Sequence, residues 1–318
     1  MFVREFEEGG PVATVLIVRE AEVRRKRDGS EFLRLVLGDR TGTLPAVLWE
    51  AVEDRVGLCR RGEVVHVTGR YSVHARYGPQ LTITAVRRPE HGEFSPEDLL
   101  DGPPRDVTQM EADLRELVGT VQNRHLRALL DALLGEESDG WRAYRLAPAA
   151  KRYHQAYRHG LLEHSLTVAQ AVSAISATFP GIDRDVAVTG ALLHDIGKLE
   201  AYAAVDGAID LTDEGKLQGE IPLGYFRVRR AIEDLPGFPA ADAQAVLHII
   251  LAHHGALEHG SPVVPCTREA TLVHFCDNLG GRLGSFDRLE KELRDGEAWS
   301  AFDRALGSGA YFATRQAA

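Results

Sequence analysis

Four short segments of the chain place histidine and aspartate among apolar residues, where an unpaired charge or imidazole is costly to bury. They read HGLLEHS at 159–165, LLHDIGK at 192–198, LAHHG at 251–255 and HFCDN at 274–278. A bound cation compensates the charge of a buried aspartate, and neutral imidazole is a common metal ligand. The spacing therefore predicts a metal site assembled from several helices, with these candidate ligands: His164, His194, Asp195, His253, His254 and Asp277.

These candidate ligands fall at the ends or on the buried faces of predicted helices. The pairs at 194–195 and 253–254 each close an apolar helical stretch just before a glycine, which favours a helix end. Residues 111–134 carry one broad apolar stripe at helical spacing, and residues 202–212 resemble a short hairpin or loop. Further helices are predicted near 160–179, 184–196, 216–235, 239–254, 267–283 and 286–293.

Residues 11–88 differ from the rest of the chain because they contain five strand-like segments rich in Val, Leu and Thr. Five strands with a helical insertion near 50–58 fit an OB-fold β-barrel, whose open face commonly binds single strands. Residues 89–110 are polar and rich in proline, which indicates a linker. We therefore predict a multidomain α and β protein, with an N-terminal OB-fold domain at 1–90, a linker at 91–110 and an all-α domain at 111–318.

The predicted barrel carries aromatic and basic side chains of the kind that stack on bases and contact phosphates. Residues 11–88 have a net charge of +5, whereas the whole chain has a net charge of −10. This asymmetry either attracts a polyanion or is only solvated surface. Phe32 and Trp49 have the alternative of being barrel core. The candidate nucleic-acid-binding residues are Arg24, Arg25, Phe32, Arg34, Trp49, Tyr71, Arg76 and Tyr77.

The composition also indicates in which cellular compartment the protein is expected. The three cysteines are scattered and odd in number, which argues against a disulfide framework. No run of about 18 apolar residues predicts a membrane span. The N-terminal sequence MFVREFEEGG lacks the basic and apolar regions of a signal peptide. We expect a cytoplasmic protein with no membrane partner.

Together these motifs resemble a known family. His164, the His194–Asp195 doublet and Asp277 are similar to the H…HD…D pattern of the HD superfamily of metal-dependent phosphohydrolases. The pair at 253–254 resembles the extra ligands of members that hold two metals. An N-terminal OB domain followed by AAKRYHQAYRHGLLEHS, ILAHHGALEHGSP, REATLVHFCDNL and WSAFDRALGSGAYF resembles the YhaM family of 3′→5′ exoribonucleases over nearly the whole chain.

The resemblance implies hydrolysis of phosphodiester bonds in single-stranded RNA, and also in single-stranded DNA, with the OB domain guiding the strand. It implies two divalent ions bridged by Asp195, Mn²⁺ first and Mg²⁺, Fe²⁺ or Co²⁺ as alternatives, which activate a shared water. His194 and Asp195 are then catalytic, and Lys198 contacts a phosphate oxygen. The substrate entrance is expected to include Lys151, Arg152, His154 and Tyr157.

One position departs from the family pattern. The family usually has Gly-His in the helix after the HD doublet, but this chain reads LQGEIPLG and has Glu220 there. Either Glu220 replaces the histidine as a ligand through its oxygens, which suits Mn²⁺ and Mg²⁺, or the second metal site is weakened. Gln155 also stands where a second histidine often occurs, which puts an outer contact in doubt.

Two other functions remain open from the sequence. An HD phosphodiesterase or phosphatase acting on small nucleotides, including cyclic dinucleotides, would need the same metal ligands but no strand-guiding domain. A nucleic-acid-binding regulator with a weakened HD domain would need the barrel but not a complete ligand set. The sequence also leaves open which of His253 and His254 binds metal directly, the preference between RNA and DNA, and a homo-oligomeric state.

Overall fold

The chain forms two compact units, Met1–Gly102 with Ala204–Ala208, and Pro103–Ala203 with Ile209–Ala318. The computed structural model describes residues 1–318 apart from 27, 51–54, 75–77, 91, 100–101, 104, 152–154, 206–207, 294–296, 305 and 314–318, and describes the main chain alone at 96–97, 204–205, 208, 287–288 and 291–292. Within these described ranges, no helix has the length and apolar character needed to cross a membrane.

The first unit contains a closed barrel of five strands in the order β1-β2-β3-β5-β4. β3 and β5 pair in parallel and the other neighbours pair antiparallel. The N-terminal barrel that the sequence predicts is therefore confirmed. The strands are β1 (Pro11–Arg25), β2 (Glu31–Asp39), β3 (Gly42–Leu48), β4 (Val64–His74) and β5 (Gly78–Arg87), and a short helix α1 (Pro96–Leu99) follows.

The alternation of side chains along β2 decides which residues the barrel presents outward. Leu33, Leu35 and Leu37 are at most 1% exposed and fill the barrel core. Phe32 and Arg34 alternate with them and point to the other face, as the two-residue period of a strand requires. The helical insertion predicted near 50–58 lies partly outside the described residues.

The second unit is helical. One two-stranded hairpin, β6 (Tyr202–Val205) and β7 (Ala208–Leu211), interrupts the helices, and its residues Ala204–Ala208 are grouped with the first unit. The helical domain predicted after the barrel is confirmed. Its helices are α2 (Val107–Gly119), α3 (Arg124–Leu134), α4 (Trp141–Leu146), α5 (Gly160–Ser176), α6 (Arg184–Leu193), α7 (Lys198–Ala201), α8 (Asp213–Gln218), α9 (Glu220–Glu233), α10 (Ala240–Ala252) and α11 (Arg268–Glu292).

Some of the predicted helices are divided in the structure, and two others are joined. The stripe over 111–134 is split into α2 and α3, because the Asn123 side chain accepts hydrogen bonds from the main-chain N–H groups of His125 and Leu126 and begins a new helix. The helix predicted at 216–235 breaks at Gly219, whose φ of 81° a glycine adopts without strain. The two helices predicted at 267–293 form the single helix α11.

Helices α5, α6, α10 and α11 pack together and surround the candidate ligands. Their facing sides are apolar, with Leu162, Leu192 and Ile249 fully buried in a common core. This burial is the main force that holds the helix ends in place. The core therefore positions the polar side chains that the sequence singled out.

Candidate functional site

The first group of candidate ligands brings together three helices of the second unit. The Nε2 atom of His164 lies 3.1 Å from Oδ1 of Asp277 and 3.3 Å from Oδ2 of Asp195. The Nε2 atom of His194 lies 3.4 Å from the same Asp195 oxygen and 3.7 Å from Asp277 Oδ1. The two Nε2 atoms are 3.2 Å apart. Donor atoms of His164, His194 and Asp277 therefore all lie within 4.8 Å of one another, with Asp195 Oδ2 beside the two histidines.

A second group lies on the other side of Asp195. Oδ1 of Asp195, the other oxygen of this carboxylate, is 3.5 Å from Nε2 of His253. Oε1 of Glu220 is 3.3 Å from Nε2 of His254. Donor atoms of Glu220, His253 and His254 all lie within 4.8 Å of one another. The structure thus brings both imidazoles of the 253–254 pair into one group with Glu220, the residue that differs from the family pattern.

The donor set fits divalent cations. Ligands about 2.1 Å from a cation, at tetrahedral or octahedral angles, are separated from each other by roughly 3.0–3.4 Å, close to the spacings of the first group. Nε2 of His253 is buried and has no hydrogen-bond partner among the described residues. The side chains of His194 and Asp195 are 0% and 3% exposed. Buried histidines and carboxylates with converging donors are what a metal site requires.

Each histidine of the two groups has its Nδ1 atom beside a carbonyl oxygen. Nδ1 of His194 contacts Ala191 O at 2.7 Å, and Nδ1 of His253 contacts Ile250 O at 2.8 Å. A carbonyl oxygen accepts only from Nδ1–H, so Nε2 keeps its lone pair for a cation. The other two contacts are His254 Nδ1 to His259 O at 3.0 Å and His164 Nδ1 to Gln155 Oε1 at 3.0 Å.

The turn after the HD doublet positions Glu220. A side chain on Gly197 would place its Cβ 2.0 Å from the Glu220 carbonyl oxygen and 2.4 Å from Gly224 N, so glycine permits α9 to approach this turn. Glu220 is the first residue of α9, after the break at Gly219. The close approach brings its carboxylate to the histidine pair at the end of α10.

Charges within the groups hold the carboxylates ionised. Burial opposes ionisation of Asp195, but Lys198 and His194 hold the pKa of Asp195 well below its usual range. Burial likewise opposes a charged His194, but Asp195 and Asp277 outweigh it and raise the pKa of His194 to about 10. Without a cation, protons on His164 and His194 therefore compensate the buried carboxylates, whereas burial lowers the pKa of His253.

This coupling predicts how the stability of the metal-free protein depends on pH. The stabilisation from His194 is complete below its unfolded pKa of about 6.5 and is lost as pH rises through its folded pKa of about 10. We therefore expect the melting temperature of chelator-treated protein to fall between pH 6.5 and 9, measured by scanning calorimetry. Mg²⁺ should flatten this dependence, as should His194→Gln, whereas His259→Gln should retain it. A metal-free melting temperature that rises over this range would contradict the assignment.

The residues predicted to meet substrate are held by neighbours within the second unit. Nζ of Lys198 donates to Ala149 O at 2.7 Å and lies 2.9 Å from Asp195 Oδ2, so this partly buried lysine lies beside the ligand groups. Nζ of Lys151 lies 2.5 Å from Asp210 Oδ1. The Tyr157 hydroxyl donates to the buried carboxylate of Glu163. Arg152 and His154 lie outside the described residues.

The barrel brings some of its predicted binding residues together. The rings of Phe32 and Trp49 stack with centroids 4.8 Å apart, and Trp49 is 41% exposed and therefore not barrel core. Arg24 and Arg34 both approach Glu22, and Arg25 pairs with Glu31. Tyr71 packs edge-on against Phe6 rather than standing free. Arg76 and Tyr77 lie outside the described residues.

Lys26 also belongs to this surface, although the sequence pattern did not single it out. Nζ of Lys26 lies 5.2 Å from the ring centroid of Trp49 and donates to the Trp49 carbonyl oxygen at 3.3 Å. A cation over an indole ring is a favourable arrangement. The basic run RRKR at 24–27 was the available signal, but it did not indicate which residue meets the ring.

Comparison with known families agrees with this architecture. Residues 17–88 match the model of an OB-fold nucleic acid binding domain, and residues 161–281 match the model of the HD domain. Both ligand groups lie within the matched HD region. The chain therefore combines an OB-fold domain with an HD domain.

Relatives of known name extend the similarity across both domains. The chain is 29% identical over 295 residues to the 3′-5′ exoribonuclease YhaM of Geobacillus sp. (strain WCH70), covering 92% of this chain and 89% of that protein. It is 28% identical over 295 residues to YhaM of Bacillus subtilis (strain 168), covering 92% and 91%. The resemblance to the YhaM family predicted from the sequence is confirmed.

Proposed function

We propose that this protein is a metal-dependent 3′→5′ exoribonuclease that hydrolyses phosphodiester bonds of single-stranded RNA, with single-stranded DNA as a second substrate. The observation that carries the proposal is the Asp195 carboxylate, whose two oxygens face two different groups of ligands. The names of the relatives that align over 92% of the chain support the direction and the substrate.

The residues of the two groups would hold two divalent cations, with Mn²⁺ as the first candidate. Such a pair lowers the pKa of water and neutralises charge on phosphate oxygens. The histidines bind through Nε2 and are kept in that tautomer by their Nδ1 contacts. Lys198 keeps its ammonium charge, since Asp195 outweighs burial and raises its pKa, and we infer that it contacts a phosphate oxygen of the strand.

We infer that residues 1–90 bind the strand that the HD domain shortens. Trp49 offers an exposed ring stacked on Phe32, and base stacking on such rings tolerates any sequence. Arg24 on β1, Lys26 directly after β1 and Arg34 on β2 supply positive charge for the phosphates. Residues 91–106, the part of the predicted linker that precedes α2 (Val107–Gly119), act as the linker. Lys151 and Tyr157 belong to the substrate entrance.

A cleavage time course tests the proposed function. Single-stranded RNA and DNA oligomers labelled at the 5′ end are incubated with the full chain and Mn²⁺, beside a His194→Ala/Asp195→Ala double variant. We expect a ladder of labelled products that shorten stepwise from the 3′ end, absent with the double variant. The relative rates rank RNA against DNA.

The same assay separates the other candidate functions. Hydrolysis of mononucleotides or cyclic dinucleotides with no shortening of either oligomer would replace the proposal with a small-nucleotide enzyme. Oligomer binding without hydrolysis of any of these substrates, despite bound Mn²⁺, would indicate a regulator.

The stacked rings of Phe32 and Trp49 predict that a substitution there affects binding of an oligomer but not hydrolysis of a small substrate. Trp49→Ala removes a platform worth about 1–3 kcal/mol per base, so we expect the Kd for a single-stranded oligomer to rise roughly 5- to 150-fold. Hydrolysis of bis(p-nitrophenyl) phosphate, which is too small to use the barrel, should be unchanged. Fluorescence anisotropy and absorbance measure the two quantities. Trp299→Ala is the matched control, since Trp299 is 63% exposed on the other unit. An unaltered Kd for Trp49→Ala would remove the pair from the binding surface.

A further inference from the structure

His164 differs from the other histidines of the two ligand groups in its outer contact. Its Nδ1 atom lies 3.0 Å from Oε1 of the Gln155 side chain. The Nδ1 atoms of the other three contact main-chain carbonyl oxygens. The orientation of His164 therefore depends on a side chain, which a substitution can remove.

The position of His164 in its helix explains this difference. His194 and His253 directly follow the last residues of α6 and α10, where carbonyl oxygens three residues earlier are free of helical partners. His164 lies in the second turn of α5, which continues to Ser176, so the nearby carbonyl oxygens are already used in the helix. An acceptor for its Nδ1–H must therefore come from elsewhere in the fold.

The fold supplies this acceptor from a fixed point of the main chain. Gln155 has a φ of 57°, in the left-handed region that residues with a side chain rarely adopt. Its carbonyl oxygen accepts a hydrogen bond from Ala149 N at 3.1 Å. A Cβ on Gly160 would lie 2.0 Å from that same oxygen, so only glycine at 160 lets this turn close. The main chain thus holds Gln155 within reach of His164.

We propose that Gln155 is a positioning residue for the first ligand group, which fixes the tautomer and ring orientation of His164 so that Nε2 faces the cation. The inference rests on the metal binding that the proposed function requires. The same turn carries Tyr157, whose hydroxyl donates to Glu163, the residue next to His164. One turn of the chain therefore sets both a metal ligand and a residue of the proposed substrate entrance.

Calorimetric titration of the metal-free full-length protein with Mn²⁺ tests the proposal. Gln155→Leu removes the acceptor with little change of size, and we expect the affinity for one of two ions to fall about 10- to 100-fold. The affinity for the other ion should remain unchanged. Gln155→Glu replaces the amide oxygen by a carboxylate oxygen, which also accepts a hydrogen bond. This variant should bind that ion at least as tightly as the wild type. Recovery with glutamate separates an acceptor role from simple packing.

Two further variants complete the experiment. Gln218→Leu makes the same change at an exposed site on α8 and should titrate like the wild type. Gly160→Ala, which displaces the Gln155 carbonyl, should weaken binding of the same ion that Gln155→Leu affects. The proposal would be overturned if Gln155→Leu bound both Mn²⁺ ions as tightly as the wild type. It would also be overturned if Gln155→Glu bound Mn²⁺ no more tightly than Gln155→Leu. If Gln155→Leu fails to fold, the Mn²⁺ affinities of the other two variants test the proposal. Gln155→Glu should then bind both ions at least as tightly as the wild type, and Gly160→Ala should bind one ion more weakly.

This outcome is independent of the nuclease assay. If the wild type binds two Mn²⁺ ions but shortens no oligomer, the proposed function fails while the Gln155 comparison stands. If Gln155→Leu binds both ions normally and the wild type shortens RNA, only the role of Gln155 fails.

Discussion

Asp195→Asn is expected to remove bound metal from both ligand groups and to slow RNA shortening by at least about 1,000-fold, which corresponds to about 4 kcal/mol in the barrier. Each oxygen of this carboxylate faces a different group, and each group loses a charged donor when the amide replaces it. The measurements are the rate of oligomer shortening and the Mn²⁺ content per chain, by mass spectrometry after gel filtration.

The geometry distinguishes Asp195 from Asp277, although both are buried beside histidines. Among the described residues, Asp277 contacts histidines of the first group and none of the second, so Asp277→Asn should remove one ion and leave the other. Asp213→Asn is a matched control, because the Asp213 side chain is 90% exposed on α8. Retention of two Mn²⁺ ions by Asp195→Asn would show that this carboxylate does not bridge the groups.

Glu220→Gln is the second substitution with a large expected effect. It preserves size but removes the only carboxylate, apart from Asp195, that approaches the 253–254 pair among the described residues. We expect one ion per chain instead of two, and shortening slowed about 100-fold, equivalent to about 3 kcal/mol. Electron paramagnetic resonance should change from the spectrum of a coupled Mn²⁺ pair to that of isolated Mn²⁺.

A histidine at the same position provides the comparison. Glu220→His supplies a nitrogen donor in place of the carboxylate, so it should restore the second ion. Glu214→Gln on the exposed face of α8 is the matched control. If Glu220→Gln keeps two coupled ions, Glu220 is not a ligand, and the second group consists of His253, His254 and Asp195 alone.

The sequence by itself determined the architecture and most of the ligands. Strand alternation and helical periodicity are local properties, so the barrel at the N-terminus and the helical domain after it could be predicted. Histidine and aspartate are rare in apolar helices unless something compensates them, which made the segments around His164, His194, His253 and Asp277 visible. The helix breaks at Asn123 and Gly219 were missed because capping competes with a continuous apolar stripe.

Only the tertiary structure decided how these residues divide between two groups. Spacing along the chain does not encode the direction of a carboxylate oxygen. The resemblance implied a bridging role for Asp195, and the distances show which histidines lie beside each of its two oxygens. Glu220 reaches the second group because Gly197 allows two helices to approach closely. The contacts of Lys26 with Trp49 and of Gln155 with His164 depend on main-chain positions fixed by packing elsewhere in the fold. The sequence thus determines which chemistry is present, and the packing of the helices determines which atoms face each other.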